Sequence, residues 1–352
     1  MSAATEPATG LTADPATTGL PTEPATAGLP TGLSGGLRLI DADTLRARCS
    51  PAAAVDAVER ALRAGLDATA GPVRSTVDLG AGHLLLMPAE LGGGSAGVKV
   101  ATVAPANPGR GLPRIQGLYL LFDAATLRPT AVLDGEALTT LRTPAVSVAA
   151  VRGRLARAAA PLRVVVFGAG PQAVGHTDTL AATLGPGALR SVHHVVREPR
   201  HAALPAGSGA EVLAAGTAAV DAALAAADVV VCATTARTPL FDPAVLRPDV
   251  TVLAVGSHEP DARELDAALL GRATVVVETP ATALREAGDV VLAVAEGVLD
   301  PAALVPMAEA VTGRSELPRD RPVVFKSVGM AWQDLVVADA VMNGYPRNGE
   351  TS

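Results

Sequence analysis

The run Arg-Val-Val-Val-Phe at 163–167 ends on Gly168-Ala169-Gly170-Pro171-Gln172-Ala173, and the pattern that follows is helical. No other segment restricts the possible folds as much. β-Branched residues favour a strand. The glycines admit a tight turn and a close approach of backbone to ligand, and the helix then offers its positive N-terminus to an anion. Ala173 stands where a third glycine would fall, which the pattern permits. Glycines also build ordinary turns, so the motif alone is weak. Its place at the head of a strand–helix series is what reads as a pyrophosphate cradle. Gly168, Gly170, Pro171, Gln172 and Ala173 are therefore expected to hold a dinucleotide.

Further apolar runs occur at Val192–Val196, Val229–Ala233, Val252–Val255 and Thr274–Glu278, without polar alternation. Strands buried on both faces have this composition, so the sheet should be parallel. Ala- and Leu-rich segments at 172–183, 217–226 and 264–270 supply the intervening helices. The alternation predicts a Rossmann-type, doubly wound α/β domain. Upstream the pattern changes. Ser50 and Pro51 mark a helix start, and Ala54, Val55, Val58, Ala61 and Leu62 recur at helical spacing over 51–66. Short strands at Val73–Leu79, Gly82–Pro88, Gly97–Val103 and Gly117–Asp123 lie between Gly- and Pro-rich turns, which predicts an α+β unit with a largely antiparallel sheet. Order should begin near Leu39, and a second helix covers Leu138–Leu155. Residues 1–36 repeat Pro-Ala-Thr and Gly-Leu imperfectly, which predicts a flexible tail.

Composition narrows the range of functions. Of 352 residues, 49% are hydrophobic and 18% charged, enough apolar mass for roughly two domains and too little charge for a disordered chain. Aromatics are 2%, and 28 basic residues face 35 acidic ones for a net charge of −7. That balance lacks the basic footprint and the stacking platforms of a nucleic-acid binder. Cys49 and Cys232 make no disulfide framework, and no Cys/His spacing suits a metal. The start lacks a secretion signal, and no apolar run reaches the ~18 residues of a membrane span. The expectation is a soluble cytoplasmic protein with neither membrane nor nucleic acid as partner.

Two local features sharpen the reading. After Val192–Val196 the chain continues Arg197-Glu198-Pro199-Arg200, where an NAD site would place an acidic residue for the ribose diol. Arg197 and Arg200 suit a 2′-phosphate instead, which favours NADP(H); Glu198 keeps NAD(H) open, and both arginines could simply be solvated. Lys99 lies inside the apolar run GVKVATV and is one of only two lysines, with Lys326. It is either a paired inward lysine or an edge-strand lysine facing water. His193 and His194 are adjacent on a strand and face opposite ways, so they cannot share a metal.

The chain resembles the ornithine cyclodeaminase and mu-crystallin family. The resemblance lies in LLLMPA at 84–89, GVKVATVAPAN at 97–107, VLDGEALTTLRTPAVS at 132–147, the GAGPQA turn, ATT at 233–235, GSHEPDARELD at 256–266 and FKSVGMAWQDLVVADAV at 325–341. It implies a substrate-binding and dimerisation domain over 37–150 with 331–348, a dinucleotide-binding domain over 151–330, and a homodimer. It also implies that Arg74, Lys99 and Arg142 hold a substrate carboxylate. Thr143, Thr234 and Thr235 would then touch the cofactor, and Lys326, Ser327 and Gly329 would approach its nicotinamide side. Read without the resemblance, Arg142 could equally be an interdomain salt bridge, Arg74 a surface residue and the ATT segment plain core.

One position departs from the deaminating pattern. Those members present an Asp just after a Gly-small pair, and here that position is His258. The departure favours the mu-crystallin branch, which reduces cyclic ketimines. His258 then becomes a candidate proton donor, or else a loop residue. The resemblance thus implies an NAD(P)H-dependent reductase of a small carboxylate-bearing imine or ketimine. A cyclodeaminase or amino-acid dehydrogenase is the nearest alternative, and a nucleotide-binding protein without turnover the more distant one.

Overall fold

The computed structural model describes residues 36–92 and 94–343. The expected tail over 1–36 lies outside them except for Gly36. The first half runs β1 (Arg38–Ile40), α1 (Ala42–Arg48), α2 (Pro51–Arg63), β2 (Ser75–Leu79), β3 (Gly82–Leu91), β4 (Ser95–Val103), β5 (Ile115–Asp123), β6 (Pro129–Asp134) and α3 (Gly135–Leu155). The second half runs β7 (Leu162–Phe167), α4 (Pro171–Leu184), β8 (Leu189–Val196), β9 (Glu211–Ala214), α5 (Ala218–Ala226), β10 (Val229–Cys232), β11 (Thr251–Ala254), α6 (Ala267–Arg272), β12 (Thr274–Val277), α7 (Pro280–Glu286), α8 (Gly288–Ala295), β13 (Val305–Pro306), α9 (Met307–Thr312), β14 (Val323–Lys326) and α10 (Ala331–Met342).

The first six strands form one sheet in the order β1-β6-β5-β4-β3-β2. Its pairs are antiparallel except β1 with β6, which run parallel. β4 is therefore an interior strand, and Lys99 on it is buried at 5% exposure rather than an edge lysine. Strand parity puts Met87, Lys99 and Tyr119 side by side on one face, with Leu85, Ala101 and Gly117 in the next row. The opposite face carries Leu86, Val100 and Leu118, and its exposed apolar residues include Val77, Leu79 and Leu118.

The other eight strands form a fully parallel sheet in the order β13-β12-β14-β11-β10-β7-β8-β9. The order steps outward in both directions from β7, which is the doubly wound arrangement, with β14 inserted between β11 and β12. Valines fill its centre: Val164, Val166, Val229, Val231 and Val252 are all fully buried. α10 comes last in the described chain: it follows β14 of the second sheet directly, yet packs back on β3, β4, α2 and α3 of the first half. Among the described residues no helix is long and apolar enough to cross a membrane.

Candidate active site

The C-terminal ends of β7, β8, β10 and β11 open onto a cavity of about 1290 Å³, whose far wall is the Lys99 face of the first sheet. Gly168 turns there at φ +112°, and a Cβ at that position would stand 2.7 Å from the Ala233 carbonyl oxygen. The buried His194 fixes the same turn: its Nδ1 lies 2.8 Å from the Gly168 carbonyl, so Nδ1 carries the proton. Burial holds this imidazole below the usual histidine range. Gly170 caps α4, whose first residue is Pro171. A cavity of this size at the strand ends, with backbone brought close at Gly168 and a helix start beside it, fits a dinucleotide.

Not every expected cofactor residue reaches that cavity. Gly168, Gly170, Gln172, Thr143, Thr234 and Thr235 line it. Pro171 and Ala173 do not: Pro171 starts the helix, and Ala173 is buried, with its Cβ 3.5 Å from where a Gly168 side chain would be. Arg197 lines the cavity, whereas the side chain of Arg200 is 78% exposed and paired with Glu198 at 2.8 Å, outside the wall. Ser327 and Gly329 also line it. Lys326 does not, because its charge is used beneath the floor: Nζ donates to the Ser257 carbonyl at 2.5 Å and pairs with Asp289 at 3.1 Å.

Two buried carboxylates that sequence reasoning passed over shape this floor. Glu264 accepts from the Thr234 N–H at 2.9 Å, the Thr234 hydroxyl at 2.7 Å and the Gly256 N–H at 2.7 Å, so it ties the ends of β10 and β11 together. Burial pushes its carboxyl above the usual range, against the pull of Lys326. Asp289 accepts from the N–H groups of Glu264 and Leu265, both at 2.8 Å.

The three expected carboxylate ligands come together, Arg74 and Arg142 at the turn Ser327–Gly329 and Lys99 beside Arg142 on Asp334. Lys99 Nζ donates to Asp334 Oδ2 at 2.8 Å, and Arg142 Nε donates to Asp334 Oδ1 at 3.2 Å. Arg142 Nη1 donates to Gln333 Oε1 at 2.8 Å, and among the described residues Nη2 has no acceptor. Arg74 donates to the carbonyls of Val328 at 3.2 Å and Gly329 at 2.6 Å, and pairs with Glu286 at 2.8 Å. Lys99 and Arg142 thus share one fully buried carboxylate, which leaves these three groups with one formal positive charge. Burial would raise Asp334, but the two cations outweigh it and hold the carboxyl below its usual range. Burial pulls the Lys99 ammonium down to about 8, with Asp334 opposing and Arg142 assisting. Asp334 and Gln333 were not anticipated; a carboxylate and an amide inside the apolar helix AWQDLVV are the signal that marks them.

His258 also lines the cavity, in the loop after β11, and is exposed there. The surrounding walls and then the charge of Arg74 push its imidazole below the usual histidine range. His176, by contrast, is fully buried between the Gln172 carbonyl at 2.7 Å and Ser147 Oγ at 2.9 Å.

A parallel doubly wound sheet with a glycine turn at its strand ends is the architecture of a dinucleotide-binding α/β protein, and here a basic cluster faces that turn. The match to known proteins is more specific. Residues 41–347 match the model of the ornithine cyclodeaminase/mu-crystallin family, and the chain belongs to that family. It is 35% identical over 272 residues to delta(1)-pyrroline-2-carboxylate reductase 2 of Burkholderia ambifaria, covering 75% of this chain and 81% of the relative. It is 30% identical over 277 residues to ketimine reductase mu-crystallin of Mus musculus, covering 78% and 85%. The structure of Thermococcus litoralis delta(1)-pyrroline-2-carboxylate reductase in complex with NADH and L-proline superposes at a TM-score of 0.77 and 27% identity, covering 87% of this chain and 96% of that one.

Proposed function

We propose that the protein is an NAD(P)H-dependent reductase of a small, carboxylate-bearing imine or cyclic ketimine. The observation that carries this reading is the surplus positive charge of Lys99 and Arg142 on Asp334, set in the same cavity as the Gly168–Gly170 turn. A bound nicotinamide would supply hydride to the imine carbon. The chain's own residues do the rest. Arg142 presents Nη2 to a carboxylate oxygen, Lys99 adds a point charge, and Arg74 closes the third side. Their positive field disfavours an iminium until the carboxylate is seated and offsets it. His258 moves a proton to the imine nitrogen, so that C=N becomes CH–NH. Thr143 and the Gly168–Gln172 turn hold the pyrophosphate side, and Thr234, Thr235, Ser327 and Gly329 the nicotinamide side.

Two finer points belong to the same reading. Arg197 beside the adenosine end supports NADP(H) over NAD(H), with Glu198 and His201 as its neighbours on the wall. The exposed apolar face bearing Val77, Leu79 and Leu118 supports a homodimer made by the 37–150 segment, with 331–348, of which 344–348 lie outside the described residues, assigned to that domain and 151–330 to the cofactor. The test of function is NAD(P)H consumption with Δ1-pyrroline-2-carboxylate and Δ1-piperideine-2-carboxylate, alongside ammonia release from ornithine and lysine. Imine reduction without ammonia release is expected. Conversion of ornithine to proline would mean a cyclodeaminase in which His258 stands in place of the Asp without changing the reaction.

A further inference from the structure

Glu278 directly follows β12 and is 2% exposed. Its oxygens accept four hydrogen bonds, all from uncharged donors: Ser327 Oγ at 2.8 Å, the Gly329 N–H at 2.9 Å and Gln333 Nε2 at 2.6 Å on Oε1, and the Val328 N–H at 2.9 Å on Oε2. Among the described residues it has no ion-pair partner. A carboxylate buried in this way is costly unless every lone pair is met, so it fixes its donors closely.

Those donors belong to two different walls. Ser327, Val328 and Gly329 form the turn after β14, at the strand ends that would face the nicotinamide. Gln333 sits on α10 and spends its Oε1 on Arg142, 2.8 Å away. A second contact runs in parallel: Gly329 has φ +80°, and a Cβ there would lie 3.0 Å from both Nη1 and Nη2 of Arg142. The turn and the guanidinium are therefore linked through Glu278 and Gln333 by bonds, and through Gly329 by packing.

We propose that Glu278 is a positioning residue that couples cofactor binding to carboxylate binding. A cofactor settling against Ser327–Gly329 orients Gln333 through Glu278, and Gln333 aims Arg142 at the carboxylate; by reciprocity the carboxylate tightens the cofactor. This rests on the reductase reading for the identity of the two ligands and for the cofactor's place against Ser327–Gly329. The experiment is calorimetric titration of L-proline into the full chain with and without saturating NADH. The unaltered protein is expected to bind L-proline on the order of tenfold more tightly with NADH present. In Glu278→Gln the ratio should fall to near one while NADH still binds, and Glu278→Asp should restore part of it. Gln333→Met, which leaves the three bonds from Glu278 to the turn in place, should lose the ratio as well. A purely structural role would lower Tm and the binding-competent fraction but leave the ratio unchanged.

An intact ratio in Gln333→Met overturns the proposal, even if Glu278→Gln fails to fold. So does the absence of any tightening in the unaltered protein. Imine consumption, assayed separately, decides the reductase reading: coupling without turnover would sink that reading alone, and turnover without coupling would sink this one.

Discussion

Burial sets the pH range in which Lys99 can hold an anion. With its ammonium at about 8, the residue is charged at neutrality and loses that charge just above it. kcat/KM for an anionic imine should fall as pH rises past about 8, and Lys99→Arg, which stays charged, should abolish that limb in a pH–rate profile. Lys99→Met and Arg142→Ala should each lower kcat/KM by roughly 30-fold to several thousandfold, the range for leaving one partner of a desolvated charge pair unmet. His258 acts on the other side. Its imidazole titrates below the usual histidine range, so a rate that depends on its proton declines from that lower pH upward. His258→Ala should slow turnover and flatten the profile there; an unchanged profile would reduce His258 to a loop residue. Folding depresses the pKa of both Asp334 and Lys99, so stability rises with pH through the titration window of each. The contribution of Asp334 to stability is present in full above about pH 4 and is lost as pH falls through the folded value. Asp334→Asn should cost roughly 3–5 kcal/mol in urea unfolding at neutral pH, because two buried cations lose their counter-charge.

Strands and helices explain both what the sequence disclosed and what it withheld. The runs at 164–167, 192–196, 229–233, 252–255 and 274–278 were readable because a strand buried on both faces must be apolar throughout, and each corresponds to a strand within a residue or three of its ends. β14, with only Val-Val-Phe-Lys, is as apolar but sits between a proline-rich turn and a glycine turn, and its insertion between β11 and β12 is a tertiary fact with no local trace. β1, β6 and β9 are short or half-exposed, so they carry little hydrophobic period. The basic cluster was legible from Lys99 in an apolar run together with the resemblance around Arg74 and Arg142. The buried carboxylates were not, since Asp334, Glu264, Glu278 and Asp289 each take their meaning from partners that include ones distant in sequence. The end of β8 carries its own prediction. Arg197→Ala should remove most of any preference for NADPH over NADH, a charged contact being worth about 1.5–3 kcal/mol, while Arg200→Ala, paired outward with Glu198, should change it little. Equal affinities of the two cofactors for the unaltered protein would withdraw the assignment.

At the scale of the whole molecule, an apolar face as open as that of Val77, Leu79 and Leu118 calls for a partner surface. Light scattering should return the mass of a dimer, and charged substitutions at Leu79 and Leu118 should shift it towards monomer; a monomer at micromolar concentration without any substitution would refute the assembly. A different consequence follows from where Asp334 sits in the chain. It meets Lys99 and Arg142 across 235 and 192 residues of sequence. On the ribosome the first sheet is made long before its counter-charge exists. Two cations must then wait in an unfinished wall, hydrated, until α10 emerges and returns. Synthesis runs at about 5–20 residues per second, so that wait lasts roughly ten seconds or more. The basic cluster is thus completed only after the strands of both sheets have been made, and a nascent chain halted before residue 331 would carry its whole glycine turn while Lys99 and Arg142 still lacked Asp334.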